Sequence, residues 1–472
     1  MTERLRLSFN RSVIVEADDS PLTENAGAAL LRNLDERLGN FSGALAEALD
    51  DPRDTERCAF EYATLFRART FAMALGHPAQ DDLDRLRDDP SFALAATGKR
   101  GAKAIEQALP SQPTASRMME ALSTPRNRRV LRQAPLELAI RALPYRRRNR
   151  FKSVTLDLDS SDIETHGKQE GAKYNGYYKH TCYHPLIAMI DETGDLAGMW
   201  LRRGNASSAR GAVEFALPLI ERIEAGIANV ANVRGDAAFA MPRLMEILER
   251  KHIRYTFRLK SNSVLEELAK PFLKRPPGRP PKEGREWYYE LEYQAESWPW
   301  PRRVVLVVVD DPAERYLGQP MLRHFFLVTN HPFERKSGRA LAGHYRRRGT
   351  FEAWIGEFKQ ELTPRLSSPK MRVNQVTLSL LALAYQYLHI ARVLTDEAQR
   401  RKQRTTLGTY RHQLLNLAAR FTRSGRYARM KLTKRSMALW TGLFTLLERR
   451  AQRLAAWLNN LAPHPSWQPG GT

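Results

Sequence analysis

Tyr345, Arg348, Glu352 and Lys359 lie in the segment HYRRRGTFEAWIGEFKQEL, with spacings of three, four and seven residues. At about 100° per residue, a single helix would gather these four side chains into an arc of roughly 60°. Phe351, Ile355, Phe358 and Leu362 form a neighbouring apolar stripe, so the helix would bury one edge and present a carboxylate between two cations and a phenol. Such a carboxylate suits holding a divalent metal beside phosphates. The same pattern also suits an ordinary amphipathic helix with solvated charges.

Two further acids stand where α/β sheets place their sites, at the ends of strands. In SVTLDLDSSDI, Val154, Leu156 and Leu158 alternate with Thr155, Asp157 and Asp159, the period of a half-buried strand. Asp236 closes a second short strand in VRGDAAF. Asp159, Asp236 and Glu352 are separated by 77 and 116 residues (236 − 159 and 352 − 236). Brought together, three carboxylates can hold two divalent ions about 3.5–4 Å apart. One ion would activate water or a 3′-hydroxyl, and the other would stabilise the leaving oxygen. All-oxygen ligands select Mg²⁺ or Mn²⁺ over zinc. Taken singly, an aspartate after a strand is more often a turn former or cap.

The elements that must position these residues can be read around them. Near Arg146 helical periodicity gives way to strands: SVTLDLDSSDI, YYKHTCYHPLIAMID and GDLAGMWLRRGN, with a turn at Glu192–Gly194. RGAVEFALPLIERIEAG reads as a helix, ANVRGDAAF as a strand, MPRLMEILERKH as a helix and IRYTFRLKS as a strand. That order predicts a mixed α/β sheet. A Pro/Gly-rich basic stretch, FLKRPPGRPPKEGRE, precedes strand-like runs WYYELEYQA, RRVVLVVVDD and HFFLVTNH, a β-rich insertion. Arg275–Lys282 fits a minor-groove arm or a solvated loop. Upstream, SQPTASRMMEAL starts a helix carrying Arg117, compatible with a helix-turn-helix or with a surface helix pair. Met118 and Met119 read as core. His166, His180 and His184 read as local hydrogen-bonding residues, with substrate contact as the alternative.

The chain has 75 Lys and Arg against 52 Asp and Glu, a net charge of +23, and an isoelectric point near 10.2. A polyanion, nucleic acid first, is the expected partner. The most apolar long run, Thr377–Leu394, carries Gln386, His389 and Arg392 and reads as a buried helix rather than a membrane span. Two cysteines, Cys58 and Cys182, exclude a disulfide or zinc framework. With no signal peptide in MTERLRLSFNRS, a soluble, cytoplasmic, nucleoid-associated protein is expected.

The full Y-x2-R-x3-E-x6-K spacing, with LDLDSSD and VRGDAAF, resembles the DDE transposases of bacterial insertion sequences, specifically the insertion-sequence-four superfamily. DDLDRLRDDPSF, SQPTASRM and RVNQVTLSLLALAYQYL resemble the insertion-sequence-thirteen-eighty group within it. The resemblance implies a ribonuclease H-like mixed-sheet catalytic core with a β-rich insertion, flanked by N- and C-terminal helical regions. It implies a helical DNA-end-binding region over 1–148, core halves over 149–265 and 333–398 around an insertion at 266–332, and a basic helical region over 399–472. It implies Asp159, Asp236 and Glu352 as the catalytic, metal-binding triad, with Asp159 favoured over Asp157 because Ser160 and Ser161 follow it. Tyr345, Arg348 and Lys359 would contact transposon-end phosphates. Trp298, with Trp300 and Trp287 as further candidates, would stack on a flipped base, or else fill the sheet core. Double-stranded DNA is the implied partner, bound as a homodimer. The implied activity is cut-and-paste transposition through metal-dependent cleavage and strand transfer, with a non-cutting DNA-binding derivative or a nuclease without strand transfer as alternatives.

Overall fold

A computed structural model describes residues 4–7, 10–16, 20–147, 150–275, 283–310, 322–424 and 427–460. Most of the basic Arg275–Lys282 loop therefore lies outside the described residues. At the centre is an eight-stranded mixed sheet. In chain order its strands are β1 (Ser153–Ser160), β2 (Leu186–Ile190), β3 (Asp195–Trp200), β4 (Asn229–Gly235), β5 (Arg254–Leu259), β6 (Arg285–Tyr293), β7 (Arg302–Asp310) and β8 (Arg323–Thr329). Their spatial order is β6-β7-β8-β5-β4-β1-β2-β3. Only β1–β4 and β4–β5 are parallel pairs; the others are antiparallel. The mixed α/β architecture read from the sequence is present.

Alternation fixes which face each strand shows. Val154, Leu156 and Leu158 of β1, Leu186, Ala188 and Ile190 of β2, and Val304, Leu306 and Val308 of β7 bury into one core. Helices α1 (Pro125–Ala142), α2 (Ala212–Gly226) and α3 (Pro242–Arg250) contribute to that core through Ile140, Ile220, Ile223, Leu244 and Leu248. On the opposite face Ile187 and Met189 join a second core with the N-terminal helices and the C-terminal half. There Val305 and Val307 pack under helix α4 (Gly338–Arg346) through Leu341 and Ala342. Helix α5 (Arg348–Leu362) lies on this same side.

Helix α6 (Met371–Ala398) runs through the second core. Among the described residues it is the one helix long and apolar enough to cross a membrane, and it is mostly buried inside the protein. Most of its buried polar side chains are hydrogen-bonded, as buried polar groups generally are, although the Tyr385 hydroxyl and Arg392 Nε have no partner among the described residues. Gln386 Nε2 donates to Asp195 (2.5 Å), and Asp195 also receives both terminal nitrogens of Arg146 (2.7 and 2.6 Å).

Three features go beyond what the sequence pattern specifies. The insertion strands form no separate lobe: β8 pairs with β5 and carries β7 and β6 outward, so they extend the central sheet. Helix α1, which follows the Arg117 helix (Gln112–Ala121), is not a free recognition helix. Its Val130, Leu131, Leu136, Leu138 and Ile140 are buried against the sheet and α6. Neither end of the chain is wholly helical. A strand pair, Ala419–Ser424 and Tyr427–Lys431, precedes the last helix, and Leu22–Thr23 adds to it as a third strand.

Candidate active site

The parallel pairing of β1 and β4 puts two acids side by side. Gly235 is in register with Leu158, so the next residue of each strand, Asp236 and Asp159, emerges at the same level of adjacent strands, about 5 Å apart at the backbone. Gly235 must lack a side chain: a Cβ there would sit 2.8 Å from the Phe239 ring. Asp236 turns the chain out of the sheet, its carboxylate accepting from the Ala238 N–H at 3.0 Å. It therefore does serve as a cap, and lies in the cleft as well.

Helix α5 supplies the third acid. Phe351, Ile355, Phe358 and Leu362 are all buried, as their spacing predicted, and Trp354 joins them. The β2–β3 turn receives this face closely. A Cβ on Gly194, whose φ is +72°, would meet Trp354 and His389 at about 3 Å. With that edge fixed, Glu352 projects into the cleft. Tyr345, expected on the same helix, instead sits on α4; the helical run is interrupted at Arg347. At the interruption three successive arginines find three different acids. Arg346 pairs with Glu286, Arg347 with Asp191 and Arg348 with Asp159, while Gly349 weakens the helix just beyond.

Asp159, Asp236, Arg348 and Glu352 line one cleft of about 950 Å³, together with Ser160, Ser161, Tyr174–Tyr178, His184, Ser207, Ser208, Arg258 and Lys260. Arg348 sits between two of the acids, donating to Asp159 Oδ2 at 2.6 Å and pairing with Glu352 Oε1. Burial raises the Asp159 carboxyl from 3.8 to about 6; Arg348 pulls it down, while Asp236 and Glu352 push it up. Three like charges facing one another are what a divalent cation relieves, and the donors are all hard oxygens. The site is not preassembled, however: among the described residues no three metal-ligating side chains are gathered within range of one ion. Arg348 occupies the space between its partners, and Asp236 is turned to its cap. The donor chemistry fits, and the geometry requires Arg348 to swing away.

Asp157 has a different position despite its shared strand face. It is fully buried and bound at 2.7 and 2.6 Å by Arg234, itself fully buried. Arg234 also reaches Asp191 (2.9 Å) and the His344 carbonyl (2.6 Å). This pair ties β1 and β4 to α4. The signal for it was available: Arg234 and Asp157 are cross-strand partners once Gly235 is set against Leu158.

The remaining candidates divide. Lys359 Nζ donates to Asp162 Oδ1 (2.7 Å), and Asp162 also holds His180 (2.9 Å), at the mouth of β1. Tyr345 is half-buried over the Val305–Val307 cluster, its phenol raised by burial. Trp298 is 5% exposed and packs edge-on against Tyr293 (5.5 Å) with Arg302 over its ring. The structure thus places Trp298 in the sheet core and not in the cleft, because the β6–β7 connection folds it inward. Trp300 is exposed beside Arg302, and Trp287 lies on β6; neither lines the cleft. Arg117 is exposed, near Thr114 (3.2 Å), also outside the cleft. His184 lines it, with Nδ1 against the Ala206 carbonyl at 2.8 Å; His166 is exposed. The sequence reading missed Arg258 and Lys260, whose period-two spacing at the end of β5 was their signal, and the Tyr174–Tyr178 hairpin.

No curated protein sequence matches the chain. One solved structure, the piggyBac transposase synaptic complex with hairpin DNA, is similar over 94% of this chain and 87% of that one, at 11% identity and a TM-score of 0.43. The pattern of one family, transposase DDE domain group 1, matches residues 5–456. With that match running over nearly its whole length, the chain belongs to the DDE transposases of this group.

Proposed function

We propose that this protein is a cut-and-paste DNA transposase of the insertion-sequence-four superfamily, with a ribonuclease H-like core. The observation that carries the reading is the common cleft of Asp159, Asp236 and Glu352, delivered by β1, the end of β4 and a helix of the C-terminal half. The strand order β3-β2-β1-β4-β5, with only β1–β4–β5 parallel, supports the core assignment. The spacing from Tyr345 to Lys359 supports the superfamily.

Asp159, Asp236 and Glu352 would hold Mg²⁺ or Mn²⁺, which when bound activates the attacking oxygen and stabilises the leaving one. Arg348 exchanges its bonds to Asp159 and Glu352 for bonds to a DNA phosphate, a fork geometry suited to either partner. Lys359, anchored by Asp162, and Arg258 and Lys260 on the β5 side bring further positive charge to the backbone. The same site then cuts an element end and joins the freed 3′-hydroxyl to a target, with two protomers holding two ends.

The test is nicking of a supercoiled plasmid carrying the inverted repeats found by sequencing the DNA that flanks the gene. The wild-type chain with Mg²⁺ nicks, and Asp159→Ala, Asp236→Ala and Glu352→Ala bind the ends without nicking. Cleavage retained by any of the three removes that residue from the site. A wild-type chain that binds and never cuts is a DNA-binding derivative. One that cuts yet does not join pre-cut 3′ ends to a target is a nuclease.

A further inference from the structure

A second cavity, of about 880 Å³, opens on the far side of the 202–211 loop. Six cations line it: Arg128 from α1; Arg202, Arg203 and Arg210 from the loop; and Lys370 and Arg372 at the start of α6. Their neutralisation is incomplete. Lys370 and Arg372 share one acid, Glu120. Among the described residues, Arg128, Arg202, Arg203 and Arg210 have no carboxylate within ion-pair distance. The cavity's own acids are engaged elsewhere: Glu214 with Arg243 (3.1 Å) and Glu170 with the Met371 N–H (3.0 Å).

Arg202 is the independent sign of a ligand. It is 94% buried (6% exposed), and its Nη1 fixes the loop by donating to the carbonyls of Ser207 (2.8 Å), Ser208 (3.1 Å) and Arg210 (2.7 Å). Its Nη2 is buried without any partner, and so is Nε of Arg128. A buried guanidinium nitrogen left unbonded costs free energy, and both of these arginines line the cavity.

The cavity adjoins the catalytic cleft. Ala206 lines both, and Ser207 and Ser208, held by Arg202, line the cleft side. We infer that this cavity binds the phosphodiester backbone of the duplex as it leaves the catalytic cleft, a phosphate track gripped by Arg128, Arg203 and Arg210 around the buried Arg202. The inference rests on the transposase reading. The contacts are to phosphates, so they are independent of base sequence and strongly salt-dependent.

The experiment measures binding of a mixed-sequence duplex oligonucleotide by fluorescence anisotropy across a salt series. It compares the wild-type chain with Arg203→Ala/Arg210→Ala and with Arg203→Lys/Arg210→Lys. Both positions are exposed, so the fold tolerates the changes. Losing two phosphate contacts should lower the slope of log K against log salt by about 2 and weaken binding roughly 30-fold at ~0.15 M salt. The lysine pair should keep most of the slope. Wild-type binding with an unchanged slope in the alanine pair overturns the phosphate track while leaving the transposase reading standing. Stronger binding of an acidic polypeptide than of the duplex also overturns it. A wild-type chain with no salt-dependent DNA binding overturns both.

Discussion

Asp157 and Asp159 are two residues apart on one strand face, yet their replacement by asparagine should have opposite effects. Asp157→Asn leaves the fully buried Arg234 with one carboxylate, Asp191, instead of two. Removing one partner of a buried pair costs about 3–5 kcal/mol; the remaining Asp191 puts the expectation near ~3 kcal/mol. A chain of this length has an unfolding entropy of about 1 kcal/mol/K if it melts as one unit, so Tm should fall by about 3 °C. Asp159 is held in the folded state with its carboxyl raised from 3.8 to about 6. A raised acid binds its proton more tightly folded than unfolded, so stability declines as pH rises from about 4 to 6, and the deficit is complete above 6. That gap corresponds to ~3 kcal/mol. The attraction of Arg348 is already contained in that net shift. Asp159→Asn should therefore raise Tm by about 3 °C at pH 7.5 in EDTA and leave it unchanged at pH 4. Thermal melts at both pH values, with nicking measured well below Tm, give the readout. Asp157→Asn should still nick and Asp159→Asn should not. If Asp159→Asn is the variant that melts early, or Asp157→Asn melts like wild type, the separation of structural from cleft acid is refuted.

Four further outcomes are expected. Arg348→Ala removes the cation that holds Asp159 down, so half-maximal Mn²⁺ binding, followed by electron paramagnetic resonance, should move to higher pH; an unchanged profile would mean Arg348 does not act on the site. Trp298→Ala, deleting a core side chain, should cost about 3–5 kcal/mol in chemical denaturation, while end processing at permissive temperature stays near wild type; a selective loss of processing would return the indole to the DNA. His331 and His389 are held neutral down to about 3 and His344 to about 2, chiefly by burial. The unfolded chain protonates these near 6.5, so stability should drop steadily as pH falls below that value, and a flat Tm between pH 7 and 5 would contradict it. Mg²⁺ should raise the wild-type Tm and leave that of Asp159→Asn unchanged, since ligand that binds only the folded form stabilises it; equal shifts would place the ion elsewhere.

What could be read from the chain was set by periodicity. The alternation in β1 and the stripe Phe351–Leu362 each report one buried face, and both faces are buried as spaced. The strand-end placement of Asp159 and Asp236 was legible for the same reason. What escaped depends on tertiary partners. The run from Tyr345 to Lys359 has unbroken helical spacing, yet the helix is interrupted at Arg347, where three adjacent arginines pair with Glu286, Asp191 and Asp159, acids distant in the chain. Joining of the insertion strands to the central sheet depends on β8 finding β5, which no local pattern encodes. Trp298 could be read as stacking platform or core, and only the path of the β6–β7 connection distinguishes them.

The short strand Leu22–Thr23 completes a sheet whose other two strands come from Ala419–Ser424 and Tyr427–Lys431. An early and a late segment are thus stitched into a single clasp, although Asp159, Asp236 and Glu352 are all threaded between them. Dissection by truncation should fare badly in consequence. A fragment stopped ahead of the clasp's later half leaves the early strand with nothing to zip onto, so partial proteolysis should yield nicked species that stay together rather than separable modules.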